Sequence, residues 1–255
     1  MAFDIKDYEI GKRPLWSILA ALFIFAALAL FITDCVAFGE GGRLLPIYSV
    51  ETDEKAVAIT FNCAWSADDI PEILGILEEY DAKATFFILG QWAKDNPGAV
   101  KMIAEAGHEI GTHSNTHPDM ANLSSEEIKS ELSRSCEHIT NAADIEIKLF
   151  RAPSGSYSDT AIKTAMESGL FTIQWDVDSR DWKDVPADKM VDNITKNVQK
   201  GSIILLHSGK ENTVKALPHL LEILKNSGYD FIKVSDLIYA ENYTVDHTGR
   251  QHSLG

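Results

Sequence analysis

From Val57 to Val234 short apolar runs alternate with longer amphipathic stretches, and few folds accommodate that alternation. The runs Val57 to Phe61, Ala84 to Leu89, Glu109 to Thr112, Ile147 to Phe150, Phe171 to Trp175, Ile203 to Leu206 and Phe231 to Val234 read as strands. Between them, Ile70 to Tyr80, Pro97 to Ala106, Asp159 to Ser168, Ala187 to Gln199 and Asn212 to Asn226 read as helices, with Gly107 as a stop signal. Ser124-Ser125-Glu126-Glu127 has capping-box spacing and predicts a long helix to about Asn141, which places Cys136 and His138 on a helix away from the motif loops. Apolar strands separated by helices pair in parallel with both faces covered, so the predicted class is α/β. A domain of about 200 residues buries a core without disulfides. The three cysteines, Cys35, Cys63 and Cys136, are an odd number and make no framework.

Polar clusters follow the apolar runs. They are Asn62-Cys63-Ala64-Trp65, His113 to His117, Arg151-Ala152-Pro153-Ser154-Gly155, Asp178-Ser179-Arg180-Asp181-Trp182 and His207-Ser208. The carboxyl ends of strands in an α/β barrel face one mouth, where such folds gather catalytic groups from distant parts of the chain. His113 and His117 can converge on one divalent metal if the backbone turns helically between them. A zincin protease would need Glu after the first histidine, and position 114 is Ser.

The order of these clusters resembles the polysaccharide deacetylases of the NodB-homology type, carbohydrate esterase family four, and especially their sporulation-associated branch. The resemblance covers about residues 44 to 240. The family motifs T-F-D-D, H-[ST]-x-x-H, R-x-P-x-G, D-x-x-D-W and L-x-H read here as Thr60-Phe61-Asn62-Cys63, His113 to His117, Arg151 to Gly155, Asp178 to Trp182, and Leu205-Leu206-His207. The resemblance implies an irregular (β/α) barrel of about seven parallel strands rather than an open doubly wound sheet. It implies a metal-dependent hydrolase that removes N-acetyl groups from an amino-sugar polymer, with peptidoglycan as the expected substrate. His113 and His117 would hold a divalent ion, with zinc favoured over cobalt or manganese. His207 would be the general acid, Asp181 would orient it and raise its pKa, and Arg151 would hold the catalytic base. Asp178 and Trp182 would shape the wall, with Pro153, Gly155 and Leu206 also lining the substrate site. Trp65, Trp92 and Trp182 are candidates for stacking on sugar rings, although aromatics at strand ends are more often core.

The first motif departs from the pattern. Asn62 stands where the family has a general-base Asp, and Cys63 where it often has a metal-binding Asp. An amide cannot accept a proton from water at ordinary pH. Asp68 or Asp69 could swing in as base or ligand, Cys63 could bind zinc as a thiolate, or the site could bind metal and glycan while turning over slowly or not at all. Two functions therefore stand side by side: a deacetylase, and a catalytically impaired homologue that binds cell-wall glycan.

Leu15 to Ile32 is an uncharged apolar run of nearly bilayer-spanning length, with Lys12 and Arg13 before it and Asp34 after it. It predicts a cytoplasmic tail at 1–14, a transmembrane anchor at 15–36, a linker with Gly39 to Gly42 at 37–54, an extracytoplasmic domain at 55–240 and a loose polar tail at 241–255. A cleaved signal peptide would have a shorter apolar core and a small-residue site, and Asp34 before Cys35 argues against a lipoprotein. The formal net charge of −15 excludes a nucleic-acid partner, which needs a basic face. No oligomeric state follows from the sequence.

Overall fold

The computed structural model describes residues 43–255. The expected tail at 1–14 and anchor at 15–36 lie outside the described residues. Among the described residues no helix is long and apolar enough to cross a membrane.

The chain opens with β1 (Ser49–Val50) and β2 (Ala56–Cys63), then α1 (Ile70–Glu79), β3 (Ala84–Ile88), α2 (Gly90–Asp95), α3 (Pro97–Glu105) and β4 (Glu109–Thr112). It continues with α4 (Ser125–Ala143), β5 (Leu149–Phe150), α5 (Asp159–Glu167), β6 (Phe171–Thr172), β7 (Val177–Asp178), α6 (Ala187–Asn197) and β8 (Ile203–His207). It ends with α7 (Glu211–Asn226), β9 (Asp230–Phe231), α8 (Val234–Leu237), β10 (Tyr243–Val245) and β11 (Arg250–Ser253). The main sheet runs β6-β5-β4-β3-β2-β8-β7, with β9 on the early part of β2. All its pairings are parallel, so their carboxyl ends share one rim. Among the described residues no pairing joins β6 to β7, which leaves a seven-strand half-barrel rather than a closed one.

Alternation along β2 sets the two layers of the core. Val57, Ile59, Phe61 and Cys63 pack with Ile70, Ile73 and Leu77 of α1 and Leu217 and Leu221 of α7. Ala56 and Ala58 face the inner layer with Phe87, Leu149, Ile173 and Ile203. Thr60 and Asn62 continue that inner face toward the rim. The inner layer leaves no slack: a Cβ on Gly111 would come within 2.8 Å of the Phe87 ring.

The capping box at Ser124 forms as expected, with the Glu127 side chain accepting from the Ser124 backbone N–H at 2.9 Å. Three expectations need correction. The strand predicted to reach Trp175 is only Phe171–Thr172, followed by an isolated parallel bridge from Ile173 to Ile47. The strand predicted at Phe231 to Val234 is only Asp230–Phe231, and Val234 opens α8 instead. The tail expected to be loose is an antiparallel hairpin, β10 with β11, docked in parallel on β1. Gln251 is fully buried there, its amide accepting from the Tyr239 N–H at 2.9 Å and donating to the Tyr239 carbonyl at 2.7 Å. Polar pairing, not apolar alternation, holds that hairpin, so hydropathy missed it.

Candidate active site

β2 and β8 bring the first and last motifs into register, with Asn62 paired to His207. His207 is nearly buried, and its Nδ1 lies 2.6 Å from Asp181 Oδ1. The other Asp181 oxygen accepts from the His207 backbone N–H and the Thr213 hydroxyl, each at 2.7 Å. Burial pushes the Asp181 carboxyl up, but the bonds from His207 and Thr213 outweigh it and hold the pKa below the usual carboxylate range. Asp181 therefore stays ionised and orients an imidazolium or a singly protonated imidazole at His207.

Across the inner face, Arg151 is fully buried. It donates to the Thr60 hydroxyl at 2.8 Å, the Asn62 side-chain oxygen at 3.1 Å and the Gln174 carbonyl at 3.0 Å. Its guanidinium lies 3.9 Å from the centre of the Phe87 ring, and its Nε has no partner. None of these contacts is anionic. Burial alone pushes the Arg151 pKa well down, because nothing negative offsets the lost hydration.

The histidine pair is held differently from the expectation. Ser114 and His117 have φ of +70° and +63°, so the loop turns through left-handed residues rather than helically. Glu131 of α4 pins that loop, accepting from the Asn115 and Thr116 N–H groups at 2.9 and 2.8 Å and from the Thr116 hydroxyl at 2.9 Å. The ring centres of His113 and His117 are 5.3 Å apart. His113 Nδ1 contacts the Arg151 carbonyl at 2.8 Å; with Nδ1 as the donor, Nε2 would be the nitrogen free to hold a metal. Burial keeps His113 neutral, its pKa well below the ordinary value.

The remaining predicted residues divide. Asp178 shapes its turn, accepting from the Arg180 N–H at 2.7 Å and facing Trp182 Nε1 at 3.4 Å. Pro153 is buried, and Gly155 takes φ +68° against the Trp175 ring. Leu206 is buried on the helix side of the sheet, which corrects its assignment to the substrate wall. Trp92 is also buried, its Nε1 donating to the Trp65 carbonyl at 2.7 Å, so it is a brace and not a stacking surface.

Of the repairs for the first motif, the Cys63 thiolate and a swung-in Asp68 fare poorly. Cys63 is fully buried on the face opposite Asn62, and burial, with Asp69 nearby, pushes its thiol up to about 12. Asp68 is exposed and accepts from the Ser66 hydroxyl. Asp69 accepts from the Gly209 N–H at 2.6 Å, which ties it to the loop after β8. Gln174, Glu131 and Thr213 carry no motif signal, and sequence reasoning did not find them; Thr60 opens the first motif but had no role assigned.

The polysaccharide deacetylase family model matches residues 49–173. A peptidoglycan-N-acetylglucosamine deacetylase of Bacillus cereus is 36% identical over 196 residues, covering 75% of this chain and 92% of the relative. The chain belongs to the polysaccharide deacetylase family. An uncharacterised Bacillus subtilis protein, YlxY, is 34% identical, and the match spans 76% of this chain but only 60% of that relative. A solved family-four pseudoenzyme from Bacillus anthracis is 36% identical with a TM-score of 0.74, covering 81% of this chain and 72% of that one. A mutant of that pseudoenzyme with restored enzymatic activity is 38% identical over 75% of this chain and 70% of its own, with a TM-score of 0.73.

Deacetylases of this family are generally metal-dependent. The residues present do not complete such a site. His113 and His117 supply two neutral imidazoles, and among the described residues no third His, Cys, Asp or Glu joins them. A catalytic zinc takes three protein ligands and keeps a further position open.

Proposed function

We propose that this chain binds an N-acetylated amino-sugar polymer of the cell wall in a deacetylase-type groove, with acetyl hydrolysis impaired. The observation that carries the reading is the Arg151 contact to Asn62: the guanidinium that would hold a catalytic carboxylate donates instead to an amide oxygen. Losing a general base costs on the order of a hundred- to ten-thousandfold in rate. The Cys63 thiol adds nothing, since it faces the helices. The names of the relatives support peptidoglycan as the polymer.

A second reading, a working deacetylase, is favoured by the intact His207–Asp181 pair, which is built to give a proton to a leaving amine. Zinc, or cobalt or manganese, at His113 and His117 belongs to that reading. In either case we place the domain outside the cell, anchored through residues 15–36, because of the apolar run with Lys12 and Arg13 on its leading side. A role in sporulation rests on the resemblance of the motifs.

The test uses the full-length chain and a tetramer of N-acetylglucosamine. Saturable binding with acetate release at the uncatalysed rate is the expected result. Absence of binding, or acetate release by the wild type well above background, overturns it.

A further inference from the structure

Among the described residues, two of the five exposed large hydrophobic side chains are tryptophans, Trp65 and Trp182, at 46% and 45% exposure. Trp65 lies two positions beyond the end of β2 and Trp182 four beyond the end of β7, and β2 and β7 are the two strands that flank β8. His207 ends β8 between them. Two ladder spacings separate the flanking strands by about 10 Å, the scale of one or two sugar rings. Trp182 stands in the fourth motif, and Trp65 follows Asn62 and Cys63 in the first cluster.

We infer that Trp65 is a sugar-stacking platform that sets the register of the glycan over His207. Its backbone is fixed from two sides. The Trp65 carbonyl accepts from Trp92 Nε1 at 2.7 Å, and the Asp69 carboxylate accepts from the Gly209 N–H at 2.6 Å. Gly209 has φ +75°, and a Cβ there would lie 2.8 Å from both Ser66 N and Trp65 Cβ, so the loops after β2 and β8 are in direct contact. The indole itself is tilted against the His207 ring, with centres 5.0 Å apart and planes at 63°. Lys210 Nζ sits 4.8 Å from the indole centre and 3.3 Å from Asp184 Oδ1, which restrains the ring without burying it. The contact with His207 hides part of the indole, and nearly half of its surface stays in water beside the general-acid candidate. Indoles in that setting offer a flat apolar face to the C–H side of a pyranose, and their rigidity limits the entropy lost on binding.

The inference rests on the glycan-binding reading, and one titration separates the two. The full-length wild type, Trp65→Ala and Trp65→Phe are titrated with the N-acetylglucosamine tetramer, following heat and tryptophan fluorescence. Because the braces are backbone atoms, Trp65→Ala is expected to melt with the wild type while its Kd rises about tenfold, the loss of one aromatic face. Trp65→Phe is expected to weaken binding by about threefold and to lose part of the fluorescence change. Tetramer binding by Trp65→Ala as tight as by the wild type overturns the platform and leaves glycan binding standing. No binding by the wild type overturns both.

Discussion

Arg151 is a buried cation whose protein contacts are a hydroxyl, an amide oxygen, a carbonyl and two aromatic rings. Removing one partner of a buried ion pair leaves the other charge uncompensated, at a cost of about 3–5 kcal/mol in measured cases. Asn62→Asp restores an anion within reach, so it is expected to raise the melting temperature at neutral pH by several degrees, corresponding to about 1 kcal/mol or more. The sign with pH follows from the restored pair. Arg151 would hold the new carboxyl below its unfolded value, so the gain is present above the unfolded pKa and is lost as pH falls through the folded one. An Asn62→Asp variant that melts below the wild type at pH 7 would show that the pocket has repacked around the amide. At this scale the sequence was informative wherever chemistry is written in residue identity: Asn62, His113, Arg151, Asp181 and His207 all meet at the rim. It was silent on Glu131 and Thr213, whose parts depend on which face of α4 and α7 turns toward a loop from elsewhere in the chain.

At the scale of elements, local signals served well where the signal is local. The capping box of α4 and the left-handed Gly107 after α3 mark their ends in both sequence and structure. The terminal hairpin was missed because its stabilising contacts are polar and distant. His252 shows this: its Nδ1 lies 2.7 Å from Glu51 and its Nε2 3.0 Å from Asp246, an arrangement that needs both nitrogens protonated. The bond to Asp246, then that to Glu51, raises the His252 pKa. A raised histidine contributes its stability below the unfolded pKa and loses it as pH rises through the folded one. Amide exchange in β10 and β11 is therefore expected to quicken on the alkaline side in the wild type, and in His252→Ala to be fast throughout, with β2 and β8 unchanged. Equal hairpin protection in the two proteins would remove His252 as the clasp.

For the whole molecule, the strand-helix alternation announced a parallel α/β fold, but closure was beyond its reach, since no sequence pattern states whether β6 and β7 pair. Buried neutral histidines bear on stability across the fold. His108 accepts from the Ala84 N–H at 3.2 Å, and burial, with the charge of Lys83, pushes its pKa down to about 4. Its contribution is full above the unfolded value near 6.5 and is lost as pH falls through about 4. Self-repulsion from a net charge of −15 relaxes over the same range, so the raw melting curve mixes two trends. The difference between wild type and His108→Asn isolates one: any wild-type advantage is expected to shrink steadily from pH 6.5 to 4. A constant difference would exclude His108 as an acid-sensitive point. The most direct measurement for the groove itself is acetate release from the N-acetylglucosamine tetramer by full-length wild type beside Asn62→Asp, at equal protein and metal concentrations. Wild type at background and Asn62→Asp raised about a hundredfold or more is the expected outcome. A wild type that turns over as fast as Asn62→Asp would contradict the impaired site and make this chain a working deacetylase.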